Sequence, residues 1–118
     1  MRLLLWAIML SASLVAAAPV ELFVAPTGSD AAAGTKAAPF ATPARARDAL
    51  RELRAAGRLT DGGLVTFAGG IYYLADTLTF TPEDSGTEAA PIVYRAAPGA
   101  TVVLSGGQPV TGWRLAGG

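Results

Sequence analysis

The 118-residue chain contains no cysteine and no histidine. Their absence excludes disulfide bonds, thiol redox chemistry, Cys/His zinc sites, and nucleophilic catalysis by a Ser-His-Asp or Cys-His arrangement. Charge is sparse and balanced, because nine basic residues accompany nine acidic ones, so composition indicates no nucleic-acid partner. The chemistry that remains depends on carboxylates, Arg, Lys, Tyr or hydroxyl groups, and the length fits one small domain.

The first residues have the pattern of a secretory signal peptide. A basic start at Arg2 precedes an apolar run from Leu3 to Val15, and three alanines follow. This run is shorter than the about 20 apolar residues that span a bilayer. We therefore predict a signal peptide at residues 1–17, cleaved after Ala17, and a secreted or periplasmic chain with no stable membrane insertion. The alternatives are an uncleaved anchor and a buried N-terminal helix.

One segment carries the pattern of an amphipathic helix. Thr42 and Pro43 are typical of the N-cap and the first helical position, and Gly57 is typical of a C-terminal stop. Small and apolar residues recur along this segment at spacings of three and four: Ala46, Ala49, Leu50, Leu53 and Ala56 or Gly57. We interpret the arginine-rich opposite face as solvated and ion-paired, with polyanion binding as the alternative.

The remaining pattern is that of short β-strands. Predicted strands are residues 21–25, 64–67, 71–74, 77–80, 92–95 and 102–104, separated by Gly, Pro, Asp or Ser. The links between the later strands lack the Asn-Gly and Asp-Gly turns of hairpins. This favours a parallel coil of strands whose open end is capped by the helix, with an antiparallel sandwich as the alternative.

The loop after the first predicted strand is rich in turn formers. Gly28 is able to adopt positive φ, and Asp30 is expected to stabilise a turn, as is Asp61 after the helix. Phe40 is predicted to anchor this loop to the core.

Two groups of side chains have the chemistry of a site but suit structural roles better. Glu83, Asp84 and Glu88 form an acidic loop whose spacing fits no EF-hand. We expect instead a turn closed by the side chain of Asp84 or Ser85. Four aromatic residues could stack on sugar rings, although packing within the fold is the expected use: Tyr72, Tyr73, Tyr94 and Trp113.

Six motifs occur in a characteristic order. They are F-V-A-P-T-G-S-D at 23–30, P-F-A-T at 39–42, A-R-D-A at 46–49, G-G-I-Y-Y-L at 69–74, D-S-G-T at 84–87 and L-S-G-G at 104–107. Together they resemble the N-terminal region of secreted right-handed parallel β-helix proteins, the pectin-lyase-like superfamily. The resemblance implies a mainly β fold, with an N-terminal strand, loop and cap helix at 18–62 and the first β-helix turns at 63–118.

The function implied by this resemblance is that of a capping portion of a secreted carbohydrate-active protein. The partner would be a polysaccharide or glycan, and the activity that of a polysaccharide lyase or glycoside hydrolase. The alternatives are a non-catalytic β-helix surface or glycan-binding protein and a small independent β interaction domain.

Site residues are not assigned to this chain. In the resembled enzymes the active groove lies on middle turns, so we expect no catalytic, cofactor-binding or metal-binding residue here and no activity of the chain alone. A Ca²⁺ cofactor stays an alternative for the complete protein. Repeat stacks generally need about three units and two atypical ends, so we expect a truncated stack that opens a longer protein.

Overall fold

The computed structural model describes residues 18–117, and the predicted signal peptide at 1–17 lies outside the described residues. Within this range there are five strands, one α-helix and a 3₁₀ turn. In chain order they are β1 (Val20–Val24), α1 (Pro43–Ala55), β2 (Gly63–Phe67), β3 (Gly70–Tyr73), the turn at Pro82–Asp84, β4 (Ile92–Ala96) and β5 (Val102–Ser105). No helix in the described range is long and apolar enough to cross a membrane.

The strands form two parallel sheets. Sheet A has the order β1-β2-β4 and sheet B pairs β3 with β5. The chain passes from sheet A to sheet B twice, from β2 to β3 and again from β4 to β5. Gly63 lies opposite Ile92 in sheet A, and Gly70 lies opposite Val102 in sheet B. The predicted parallel pairing of the strands is therefore confirmed, and the antiparallel sandwich is wrong.

A glycine makes the first corner between the sheets possible. Gly70 has a φ of 140°, which L side chains rarely adopt, and a Cβ there would lie 2.7 Å from Cγ of Pro26. The corner predicted from the Gly-Gly pair is therefore present, and a larger residue at position 70 would strain the backbone and displace Pro26.

The core lies between the two sheets and the helix. Strand alternation turns one face of sheet A inward, and that face buries Leu22 and Val24 of β1 and Val65 and Phe67 of β2. Tyr72 of β3 is 3% exposed and meets the ring of Phe67 edge-on at 5.4 Å. Helix α1 and the first loop complete this core with Ala46, Ala49, Leu50 and Phe40.

The helix begins and ends where the sequence predicts. The Thr42 hydroxyl accepts a hydrogen bond from the Arg45 amide at 3.2 Å, Pro43 is the first helical residue, and Gly57 follows the last turn with a φ of 70°. The buried face is shorter than predicted, because Ala56 is exposed.

Asp30 acts over a longer range than a local turn former. Its Oδ1 accepts hydrogen bonds from the amides of Ala41 and Thr42, both at 2.9 Å, and the Thr42 hydroxyl donates to its Oδ2 at 2.8 Å. Asp30 therefore positions Thr42, the N-cap of α1, from a loop twelve residues earlier. Phe40, at 2% exposure, anchors the same loop as predicted.

One predicted strand is wrong. Residues 77–80 pair with no strand among the described residues, because they lie outside both sheets; instead the Thr79 carbonyl accepts from Nη1 of Arg47 at 2.8 Å. Alternation predicted a strand there, but a strand also needs a neighbour for its backbone groups. Gly28 could adopt positive φ but does not do so here. A glycine is required at this position because the Cβ of any other residue would overlap the carbonyl oxygen of Phe40.

Candidate functional site

The acidic loop is held by an arginine of the helix. Arg51 Nε donates to Asp84 Oδ1 at 2.8 Å and Nη2 donates to Oδ2 at 2.7 Å, while the Thr81 amide donates to Oδ2 at 2.7 Å. The Arg51 hydrogen bonds hold the pKa of Asp84 well below its usual range, and the Thr81 amide adds to this shift. Asp84 is therefore an ion-paired carboxylate that caps the preceding turn at Thr81 and does not close the turn predicted over residues 84–87, and it is unsuited to act as a general base.

The other two acids of the loop differ in their contacts. Glu83 Oε1 lies 3.3 Å from Nε of Arg51, so Glu83 and Asp84 share one guanidinium. Glu88 is exposed and takes no part in this ion pair. The loop therefore brings together two of the three acids, both on an arginine.

The arginine face of α1 is covered by a loop, which the sequence did not predict. Nη1 of Arg47 donates to the Thr79 carbonyl at 2.8 Å, and Nη2 of Arg54 donates to the Ser85 carbonyl at 2.6 Å. With Arg51, these residues bind loop 79–85 along the helix. The three arginines thus bind carbonyls and a carboxylate of the chain itself, which favours a structural role over polyanion binding. The predicted ion pairing is confirmed, but the prediction of a solvated face is wrong, because the loop covers it.

The aromatic residues divide into packed and exposed ones. Burial raises the pKa of Tyr72, whose hydroxyl lies in hydrogen-bond distance of two carbonyl oxygens. Tyr94 lies between Phe67 and Phe80, and its burial, with the charge of Asp84 adding, raises its pKa to about 12. Packing is confirmed for these two tyrosines. The prediction of packing is wrong for Tyr73 and Trp113, because these residues are 47% and 83% exposed.

The outer face of sheet A carries a polar cluster that spans three strands. Thr66 of β2 donates its hydroxyl hydrogen to Glu21 Oε1 of β1 at 3.0 Å. Arg95 of β4 donates through Nε to the Thr66 hydroxyl at 3.4 Å, and its Nη2 lies 3.6 Å from Glu21 Oε1. Thr66 is buried, whereas the side chains of Arg95 and Glu21 are 49% and 39% exposed.

A groove of about 570 Å³ runs over this cluster; we call it the sheet A groove. Besides Glu21, Thr66 and Arg95, its lining includes Lys36, Phe23 and the loop residues Pro39 and Pro98. Its volume is that of small-ligand pockets, about 300–1,000 Å³. Glu21 is the one carboxylate among its lining residues, while glycoside hydrolysis needs two. The groove therefore combines three charged side chains with a mostly apolar lining, and it lacks the paired carboxylates of a glycosidase.

Sequence reasoning missed this groove because its charged residues lie far apart in the chain. Alternation places Glu21, Thr66 and Arg95 on the outward face of their own strands, but only the register brings them together. Lys36 comes from an irregular loop that no periodicity describes.

Comparisons with known proteins match the chain to enzymes that act on carbohydrates. No family model matches the sequence. The pectate lyase PEL9 of Emericella nidulans is 35% identical over 86 residues, which are 73% of this chain and 18% of that protein. A solved glycoside hydrolase is 38% identical with a TM-score of 0.77, over 83% of this chain and 17% of the other.

A second solved structure, XylC in complex with xylose, is 26% identical with a TM-score of 0.56, over 84% of this chain and 14% of the other. The chain thus spans less than a fifth of the length of each of these proteins. The ordered motifs, the parallel sheets and these matches confirm the resemblance, over the described residues, to pectin-lyase-like parallel β-helix proteins.

Proposed function

We propose that this chain is the cap-bearing first part of a secreted β-helix protein that degrades a polysaccharide, with the catalytic residues on other coils. The observation that carries the proposal is the 38% identity and TM-score of 0.77 with a glycoside hydrolase of which the chain covers 17%. The 35% identity with a pectate lyase supports the same class of activity. Both proteins are several times longer than the matching segment.

The position of α1 supports a capping role. The helix packs on β1, the edge strand of sheet A, and its Ala49 and Leu50 belong to the same core cluster as Leu22. An amphipathic helix there shields the interior of the stack from water and limits edge-to-edge association.

The opposite edge of the stack supports continuation into further coils. β4 and β5 are the last strands of their sheets in the described range. Leu104 lies in register with the buried Tyr72, yet it is 49% exposed. A further coil stacked on β4 and β5 would bury Leu104, and the partly buried Ile92 and Val102 would become core residues.

The chemistry of the described side chains supports placing a glycosidase site elsewhere. Asp84 is tied to Arg51 and Thr81, and the sheet A groove holds a single carboxylate that faces Arg95. Neither arrangement has the two facing carboxylates of a glycosidase. A secreted protein is proposed because residues 1–17 have the pattern of a signal peptide.

The test compares the longest product of the gene with this chain alone. Both are expressed in a secreting bacterium and incubated with polygalacturonate and with xylan. New reducing ends report any cleavage, and ultraviolet absorbance of an unsaturated uronate distinguishes elimination from hydrolysis. We expect the longest gene product to cleave a polysaccharide and the 118-residue chain to cleave none. We also expect the mature N-terminus of both proteins to follow Ala17.

Two outcomes would contradict the proposal. Cleavage by the chain alone would place an active site within it. Binding without cleavage by the longest product would favour the alternative of a non-catalytic glycan-binding protein.

A further inference from the structure

Strand β3 has a free edge on the side of the cap. Within the described range sheet B consists of β3 and β5, whereas sheet A has β1 as an additional strand on that side. The amides of Gly70 and Leu74 donate toward the segment of β5, at 3.0 Å and 2.7 Å. Successive residues of a strand direct their backbone groups to opposite sides. The amides and carbonyls of Ile71 and Tyr73 therefore point away from β5, and no loop or helix of the described residues pairs with them.

A slot of about 530 Å³ runs along this edge; we call it the β3 slot. Its lining includes all three residues from Ile71 to Tyr73, with Pro26 and the start of α1 on the facing wall. Side chains alternate between the two faces of a strand, so a cavity that touches three successive residues lies at the strand edge. Because the edge is recessed behind this wall, the slot suits a single extended segment better than the edge of another sheet.

The lining of the β3 slot is mostly apolar and carries one free negative charge. Ile71 and Tyr73 are 48% and 47% exposed. The charged lining residues are Arg47 and Asp76. Arg47 is paired with Asp48 at 2.8 Å, whereas Asp76 takes part in no ion pair among the described residues. The slot therefore favours a segment with apolar side chains and a basic residue over an acidic segment.

One segment of the chain itself has these properties. Residues 106–117 are exposed and lie in neither a helix nor a strand. Their large apolar side chains, Val110, Trp113 and Leu115, are 68%, 83% and 100% exposed, and such exposure is typical of an interaction segment. In an extended conformation Trp113 and Leu115 share one face. Arg114 is the one charged residue of the segment, so its charge is opposite to that of the slot.

Within one molecule, strand β3 separates this segment from the slot. The segment follows β5, which lies on the other side of β3, and none of the lining residues of the slot belongs to β5. An intramolecular path would have to cross residues 74–78, which leave the end of β3 and line the slot. The segment of a second molecule meets no such obstacle.

We propose that the β3 slot binds segment 109–115 of a second copy of this chain, which adds to β3 as a further strand. The backbone groups of Ile71 and Tyr73 pair with those of the segment, and the apolar side chains of the segment pack beside theirs. Each copy offers one slot and one segment, so reciprocal exchange gives a closed two-fold dimer. The inference goes beyond the proposed function and is tested on a different protein, the 118-residue chain rather than the longest gene product.

The experiment follows self-association of the chain, secreted and purified, by sedimentation velocity and by tryptophan fluorescence. Trp113 is the one tryptophan that remains after cleavage at Ala17, so its emission reports on the segment directly. We expect a monomer–dimer equilibrium, with emission that moves to shorter wavelength as the concentration rises and Trp113 becomes buried.

A synthetic peptide of residues 108–117, capped at both ends, tests the slot without altering the protein. In excess it should dissociate the dimer in sedimentation experiments. The same peptide carrying N-methyl groups at Gly112 and Trp113 keeps the side chains but loses a backbone donor on each side of the strand. It should leave the dimer intact, because strand addition depends on main-chain hydrogen bonds.

Two pairs of variants locate the contact. Ile71→Ala should raise the dissociation constant of the dimer about tenfold. Val93→Ala is its matched control, since Val93 is an exposed β-branched residue of a strand outside the slot. Tyr73→Pro removes a slot-facing amide that is not part of the ladder to β5, so it should weaken the dimer more than Tyr73→Ala, which removes the ring alone. Circular dichroism melts check that each variant is folded.

Three results would overturn the exchange. They are a monomer at every concentration, a dimer that forms without a change in the emission of Trp113, and equal weakening by Ile71→Ala and Val93→Ala. None of these results bears on polysaccharide cleavage by the longest gene product, so the two proposals fail separately.

Discussion

Arg51 donates hydrogen bonds to both carboxylate oxygens of Asp84, from Nε to Oδ1 at 2.8 Å and from Nη2 to Oδ2 at 2.7 Å. This pair joins helix α1 to the 3₁₀ turn at Pro82–Asp84 across 33 positions of the chain. The Asp84 side chain is 5% exposed, so water competes little for it. The ion pair fixes the long connection between β3 and β4 against the helix, and it thereby links the helical part of the fold to the second coil.

Removing the negative charge of this pair should loosen loop 79–85. Asp84→Asn loses one charge-assisted hydrogen bond to Arg51 and leaves a guanidinium with a weaker acceptor. We expect the melting temperature to fall by roughly 5 °C. Hydrogen exchange should also quicken at the loop amides, starting with Thr81.

Glu88→Gln is the matched control, because it removes an exposed carboxylate from the same connection. Its melting temperature should equal that of the unaltered chain. If the two variants melt together, the Arg51–Asp84 pair contributes nothing to stability.

The same pair predicts a loss of stability in acid. The pKa of Asp84 is lower in the folded chain than in the unfolded chain, mainly because Arg51 donates hydrogen bonds to the carboxylate. Its contribution is therefore fully present above the unfolded value of about 3.9 and is lost as the pH falls toward the folded value. Urea unfolding at a series of pH values should show a free energy that declines below about pH 4.

Asp84→Asn provides the reference for this titration. Position 84 then carries no ionisable group, so the acid-side decline should be shallower in the variant than in the unaltered chain. Parallel curves for the two proteins would assign the decline to other carboxylates.

Local sequence features were enough to predict most elements of the fold. Helix α1 follows from Thr42, Pro43 and Gly57, because capping and termination depend on a few neighbouring residues. The strand at 77–80 was predicted wrongly from the same kind of evidence. Its alternation is real, but the pairing partner that would complete a strand is not encoded in that segment.

Long-range contacts account for what the sequence could not predict. In the sequence, Arg51 is indistinguishable from the other charged residues of the helix face. Its partner Asp84 lies 33 positions away and is identified only by the folded structure. Glu21 and Arg95 lie in different strands, and a one-residue change of register would place them on opposite faces of the sheet. The groove is thus a property of strand pairing, whereas the motifs report mainly corners and caps.

Crowding at Gly28 predicts a strong effect of a single methyl group. Gly28→Ala would place a Cβ on the carbonyl oxygen of Phe40, a backbone atom that cannot rotate away. We expect a loss of about 1–3 kcal/mol in the free energy of unfolding, measured by urea denaturation.

Gly106→Ala is the control for Gly28, since a Cβ there meets nothing within 4 Å and the residue is not at positive φ. It should be neutral within about 0.5 kcal/mol. A Gly28→Ala chain as stable as Gly106→Ala would mean that the Phe40 backbone shifts at little cost.

Removing the hydroxyl of Tyr72 should lower the free energy of unfolding even though the aromatic ring is kept. It lies 2.7 Å from the Ala68 carbonyl oxygen and 3.0 Å from that of Val24. Its one hydrogen serves these two acceptors at the corner between β2 and β3. Tyr72→Phe keeps the ring packing on Phe67 but removes the donor, so we expect a loss of about 1–3 kcal/mol in the free energy of unfolding.

Tyr73→Phe removes the same atom from a side chain that is 47% exposed, where water replaces the contact, and should cost less than about 0.5 kcal/mol. Equal losses for the two variants in urea denaturation would show that the Tyr72 hydroxyl adds no stability beyond its ring.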